Sequence, residues 1–208
     1  MTAKARETLT GVHVGTSGWS YPTWRGGFYP EGADPKTFLS FYSERFDTVE
    51  LNTTGYRLPA EGQFERWAEQ TQPGFTFAVK MPLARLDRVG TFVERVQALG
   101  DRLGPVRIVV PSPRDDGMLE FVQGSLPPEL LFAWDFRHAS WDDVDGIVRV
   151  DDFDAEPFRY IRLREPPYTD DDLRAIAERL RPPAYVYFRH EDEPSAPEYA
   201  RRLARITR

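Results

Sequence analysis

The chain has 208 residues, 27 Lys and Arg against 33 Asp and Glu for a net charge of −6, and no cysteine. That length lets a single domain bury its own core, and the absence of thiols excludes disulfides, iron–sulfur clusters, thiolate zinc sites and a cysteine nucleophile. The acidic balance argues against non-specific nucleic-acid binding, and no apolar run approaches the roughly 20 residues of a membrane helix.

In chain order, a polar stretch without an apolar h-region comes first, so no secretory signal is expected and a cytoplasmic location is. Residues 1–10 are expected to form a flexible tail on a single domain spanning 1–208. Eight strand-like runs rich in β-branched and aromatic residues follow: Val12–Gly15, Thr48–Asn52, Thr76–Lys80, Arg107–Pro111, Leu131–Arg137, Ile147–Asp151, Arg159–Arg164 and Tyr185–Arg189. Helical patterns lie between them. Asp34-Pro35 starts one over Lys36–Phe46, with Asp at the N-cap and Pro at the first helical position. Others cover Glu61–Gln70, Leu83–Leu103, Gly117–Gly124, Thr169–Leu180 and Ala196–Ile206. Strand–helix alternation predicts parallel βα units, and eight strands predict a TIM-like (β/α)8 barrel, with a doubly wound open sheet as the alternative. Asp142–Gly146 and Asp154–Phe158 are too short for helices, so the barrel is expected to be reduced, its helices short or missing after strands 5 and 6.

Neighbouring strand residues point to opposite faces. Assigning the apolar set of each run to the helix side leaves His13, Glu50, Asn52, Lys80, Asp135, Arg137, Arg149, Asp151, Arg162, Arg164 and Arg189 facing inward, together with Tyr160, Tyr185 and Tyr187. Val109 is the apolar inner residue of the fourth strand. Six inward cations (Lys80, Arg137, Arg149, Arg162, Arg164, Arg189) against three anions (Glu50, Asp135, Asp151) give a positive interior inside an acidic protein. Only three of the 27 cations are lysines, and arginine is the side chain shaped for bidentate binding of carboxylate or phosphate. Two explanations stand: a closed ion-pair network, or a pocket for a small anion. Burying unpaired charge is costly, so the cation surplus favours the ligand.

Other chemistries find less support. Three isolated histidines without a His-Glu-x-x-His helix do not suggest a transition-metal site. A Mg2+ on Glu50, Asp135 or Asp151 would compete with the arginines for its oxygens. Gly15-Thr16-Ser17-Gly18 lacks the Lys of a P-loop, and there is no Gly-x-Ser-x-Gly elbow. No metal and no cofactor are expected.

Several motifs together resemble one family. Gly15-Thr16-Ser17-Gly18-Trp19-Ser20-Tyr21, Trp24-Arg25-Gly26, Phe28-Tyr29-Pro30, Val49-Glu50-Leu51-Asn52, Tyr56-Arg57-Leu58-Pro59, Phe75–Lys80, Asp135-Phe136-Arg137-His138 with Ser140-Trp141, and Tyr185–Phe188 resemble the domain of unknown function 72 (YecE-like) family. The resemblance implies a TIM-like barrel and assigns no chemistry. The chain departs from the family pattern at Asp135 (usually Glu), Gly55 (usually aromatic), Val109 (a Gln nearby) and Arg189-His190-Glu191 (usually Asn-Asn-Asp). It is also shorter after Trp141, as a divergent or reduced member would be.

Catalytic groups of such barrels gather at the C-terminal ends of the strands. There Glu50 is the candidate acid/base, with Asp135 and His138 as further catalytic candidates. Ser17, Trp19, Tyr21, Asn52, Lys80, Arg137, Trp141, Arg162 and Arg189 are the candidate substrate-binding residues. The expected partner is a small phosphorylated or carboxylated compound, with neither nucleic acid nor membrane. The first hypothesis is an enzyme acting on that compound by acid/base chemistry; the alternative is a non-catalytic anion-binding or scaffold module. A nuclease-like reading rests on barrel analogy alone.

Overall fold

A computed structural model describes residues 10–55, 59–81, 83, 86–189 and 193–207. The expected tail (but for Thr10), Tyr56-Arg57-Leu58 and His190-Glu191 lie outside the described residues. Seven strands are present among the latter: β1 Val12–Thr16, β2 Thr48–Leu51, β3 Thr76–Met81, β4 Leu103–Val110, β5 Phe132–Phe136, β6 Arg159–Leu163 and β7 Ala184–Phe188. All their pairings are parallel, in two sheets ordered β1-β7-β6 and β2-β3-β4-β5.

Six α-helices accompany them: α1 Phe38–Ser43, α2 Gln63–Glu69, α3 Val89–Val96, α4 Asp116–Ser125, α5 Asp170–Arg179 and α6 Ser195–Ile206. Their ends follow the capping signals. Asp34 accepts a hydrogen bond from Lys36 N ahead of the 3-10 turn that leads into α1. Thr169 and Asp172 form a reciprocal capping box on α5. The long pattern 83–103 breaks into a 3-10 turn, α3 and a second 3-10 stretch in which Gly100 takes φ 53°. Between β5 and β6 the chain forms only the 3-10 turn Ala139–Trp141 and no α-helix, as the short intervals require.

The sixth expected strand is the main departure. Residues 147–151 join no ladder; they touch β5 and β6 through the isolated parallel bridges Trp134↔Arg149 and Val150↔Tyr160. A third bridge, Ser17↔Glu50, links the end of β1 to β2. Ladder pairing therefore gives two open parallel sheets joined by single bridges.

Two apolar clusters show how the faces divide. Val49, Phe77, Val79, Ile108, Trp134, Ile161 and Val186 pack with helical residues such as Phe38, Phe92, Val122, Leu173 and Leu203. Ala78, Ala133, Val148, Phe158, Tyr160, Tyr185 and Tyr187 form a separate cluster that contains no residue of α1–α6. Alternation in β2, β3, β5, β6 and β7 is thus as expected, but it is inverted in 147–151. Val148 and Val150 join the inner cluster, while Arg149 lies 5.1 Å from the Phe136 ring and donates to the Trp141 and Val144 carbonyls. No helix covers this segment, and Val148 and Val150 pack inward, while Ile147 packs on the edge of the outer cluster.

β1 and β2 approach closely at Gly15, where an added Cβ would stand 2.1 Å from the Thr48 carbonyl oxygen. The Tyr42 hydroxyl lies at the same junction, 2.8 Å from Thr16 N and 3.2 Å from Thr48 O. Gly15→Ala must push backbone against backbone and is expected to cost about 3 kcal/mol, read as a lower urea midpoint at unchanged m-value.

Candidate functional site

The inner face carries a polar network of side chains from β2, β4, β5 and β6. Glu50 of β2 is fully buried. Its Oε1 accepts from Arg107 Nη1 at 2.9 Å and from the Tyr160 hydroxyl at 2.8 Å, and Arg162 Nε donates to Oε2 at 3.1 Å while lying 2.9 Å from Oε1. Arg107 of β4 then reaches sideways: Nε and Nη2 both lie 2.8 Å from Asp135 Oδ2 on β5, and Nη1 donates to Asn52 Oδ1 at 3.1 Å. Arg137 Nη2 meets the same Asp135 oxygen at 2.7 Å. Ser17 completes the group, accepting from Asn52 Nδ2 and, at 3.4 Å, from Arg162 Nη2.

Arg107 escaped the sequence reading although it shares the parity of Val109. β4 begins at Leu103 rather than at Arg107, which puts Arg107 in mid-strand, 3% exposed. Period-two alternation carried back from Val109 was the signal that could have found it.

The electrostatics follow from this packing. Burial favours the neutral form of Glu50, but the guanidiniums of Arg107 and Arg162, with donors from Tyr160 and Ser17, outweigh it and bring its carboxyl from 4.5 to about 2. Arg107 is shifted upward: burial opposes its charge, and Glu50 and Asp135 overcompensate. Burial raises Tyr160 well above the usual phenol range. Arg137 shifts the other way. It is lowered by partial burial and by the neighbouring charges of Arg164, Arg107 and Arg162, against the single pull of Asp135.

A cation surplus remains, smaller than the inward count suggested. Among the described residues Arg107, Arg137, Arg162 and Arg164 pair with Glu50, Asp135 and Asp151, four guanidiniums to three carboxylates. Arg164 Nη1 holds Asp151 at 2.6 Å, whereas its Nε and Nη2 are buried without a protein acceptor. A cavity of about 470 Å3 lined by Arg162, Arg164 and Tyr168 lies beside them. On another side Glu50 and Asn52 line a cleft of about 530 Å3 together with Trp19, Tyr21 and Trp67.

The remaining candidates fall elsewhere. Trp141 is fully buried, donates to Ser112 O at 2.9 Å and stacks on Phe136, so this indole has no surface to offer a ligand; it packs the side that lacks a helix. Lys80 lines a separate cavity of about 330 Å3 with Met81 and Val109. His138 is exposed, with Nδ1 2.8 Å from Ser140 Oγ, and caps the turn 139–141. Arg189 is exposed just beyond β7. His13 stacks on Tyr185 and reaches Asp47 at 2.8 Å, at the opposite ends of the strands. Among the described residues no three His, Asp or Glu side chains are placed to hold a metal ion, and no helix is long and apolar enough to cross a membrane.

Comparison with known proteins places this arrangement among α/β proteins with parallel sheets. Two crystal structures of a DUF72 family protein from Enterococcus faecalis V583 superpose with TM-scores of 0.71 and 0.72, at 13% and 12% identity, covering 95% and 94% of this chain and 97% and 95% of theirs. At that identity the likeness is one of fold. The model of the family described as protein of unknown function DUF72 matches residues 13–153, and the chain belongs to that family. UPF0759 protein YecE of Escherichia coli K12 is 34% identical over 140 residues, 61% of this chain and 48% of that protein, and the O157:H7 sequence matches equally. The chain thus spans about half the length of the curated relatives it matches.

Glu50→Gln keeps the shape and removes the charge that Arg107 and Arg162 share. Breaking such a buried pair is expected to cost about 3–5 kcal/mol. The sign of the pH effect follows from the lowered carboxyl: its contribution is complete above pH 4.5 and is lost as pH falls through about 2. Urea titrations between pH 6 and 2 should therefore show the gap between wild type and Glu50→Gln closing toward acid.

Proposed function

We propose that the protein is a reduced TIM-like barrel whose C-terminal mouth binds a small phosphorylated or carboxylated compound. The three bridges, each at a junction between strand edges, support the barrel reading. The observation that carries the ligand reading is Arg137: its side chain is 41% exposed, it shares one carboxylate oxygen with Arg107, and three like charges surround it. An anion there would relieve the repulsion and use the bidentate geometry of guanidinium. The buried, acceptor-less Nε and Nη2 of Arg164 point the same way, since an unmet buried donor costs about 1–3 kcal/mol.

In this reading Glu50 and Asp135 fix the arginines. Ser17, Asn52 and Arg162 stand around the ligand, and Trp19 and Tyr21 flank it. Acid/base catalysis is the second reading, favoured by Glu50 lining the cleft. With its carboxyl near 2, Glu50 is ionised at neutral pH and would serve there only as a proton acceptor.

A thermal-shift screen with inorganic phosphate, sugar phosphates, nucleotides and dicarboxylates tests the proposal. A binder at 100 times its Kd should add about 2.7 kcal/mol. Arg137→Met is expected to abolish that shift while altering the ligand-free midpoint little, because the side chain is half-exposed. The proposal fails if no anion shifts the midpoint, or if Arg137→Met responds as wild type does.

A further inference from the structure

We propose that the cleft beside the arginine mouth is a sugar-ring subsite, so that the anion bound there is a sugar phosphate or sugar acid rather than a nucleotide. This rests on the anion-binding reading above and narrows it. The cleft holds about 530 Å3, within the range of small-molecule sites. One part of its wall is aromatic, from Trp19, Tyr21 and Trp67; another is uncharged and polar, from Asn52, Gln63 and Gln70. Asn52 of this wall accepts from Arg107 at 3.1 Å, and Glu50, buried at its edge, pairs with Arg107 and Arg162, so the cleft adjoins the arginine network through these two residues.

The chemistry of the wall decides between rings. Trp19 and Trp67 meet at 89° with centroids 5.4 Å apart, and perpendicular indoles cannot form the parallel slot that clamps a flat base. A single indole face suits the C–H face of a puckered ring. Amide side chains carry both donors and acceptors, matching hydroxyl groups, which are both at once. A base would instead call for a fixed donor–acceptor edge and a stacking face on either side.

The test is a binding series at constant ionic strength, followed by tryptophan fluorescence and thermal shift, with inorganic phosphate, glucose 6-phosphate, ribose 5-phosphate, glucuronate, acetate and adenosine monophosphate as probes. At least one of the three sugar anions should bind 10-fold or more tighter than its ring-less counterpart, phosphate or acetate, and adenosine monophosphate should show no larger gain. Trp67→Ala should reduce that advantage to about 2-fold; if that variant fails to fold, Gln63→Ala should cut it by 3-fold or more. Phosphate or acetate binding as tightly as the sugar anions overturns the subsite and leaves the anion mouth standing. A gain confined to adenosine monophosphate, or a sugar gain that survives both substitutions, also overturns it. If no anion binds at all, the anion mouth itself is refuted.

Discussion

The ion pair between Glu50 and Arg107 is the constraint on which the rest of the interior depends. Glu50 and Arg107 sit on β2 and β4, in one sheet, while Tyr160 and Arg162, which bind the same carboxylate, sit on β6 in the other. Among the described residues, backbone pairing joins the sheets only at isolated bridges. One carboxylate, held from both sheets by Arg107, Tyr160 and Arg162, therefore ties together what the ladders leave apart. Such a cluster is seldom more stabilising than apolar packing of equal volume, yet removing any member strands the others. That asymmetry gives the top of the interior a fixed geometry.

The space for this network comes from what lies around it. Ala78 and Ala133, inner residues of β3 and β5, are the register partners of Glu50 and Arg107, and their small side chains leave room for Arg107 between Glu50 and Asp135. Below them, Tyr187 shares a 2.8 Å hydrogen bond with Thr48, whose hydroxyl accepts from Thr76 at 3.1 Å. Tyr160 and Tyr187 pack with centroids 5.3 Å apart. Each buried hydroxyl thus finds a partner, as burial demands. Polarity rises from His13 and Tyr185 at one end of the strands to the arginines at the other, so the charged groups sit where solvent and a ligand can reach Arg137.

Much of this was legible in the sequence, and the failures share a cause. Alternation placed Glu50, Tyr160 and Arg162 correctly because helices cover the opposite faces of their strands, and the apolar side of a strand goes where the helices are; Asp135 of β5 follows because Trp134 and Phe136 share the opposite face, where Trp141 stacks on Phe136. The inference assumes a helix. Along 147–151 there is none, so Val148 and Val150 turned inward and Arg149 outward. Trp141 was misread for the same reason: with no helix over β5, the indole itself closes the gap against Phe136. Arg107 was a boundary error, because the β-branched run starts there while the strand starts four residues earlier at Leu103-Gly104-Pro105, a triplet with little strand character. What no pattern could supply is which guanidinium meets which carboxylate, since that depends on register between strands far apart in the chain.

The local departure at Gly55 bears on why the network is built from arginine alone. A Cβ at residue 55 would stand 2.4 Å from Lys80 Cδ, so Lys80 in its present place and any larger residue at 55 exclude one another. Lys80 lies in the apolar cavity with Met81 and Val109, although its register partner across β3 and β4 is Arg107. An ammonium is a single compact charge; a guanidinium offers five donors in a plane. Arg107 uses that plane to hold Glu50, Asn52 and Asp135 at once, a span across three strands that a lysine at the same position could not make. The four guanidiniums of Arg107, Arg137, Arg162 and Arg164 share their carboxylates through edges whose directions the fold has fixed.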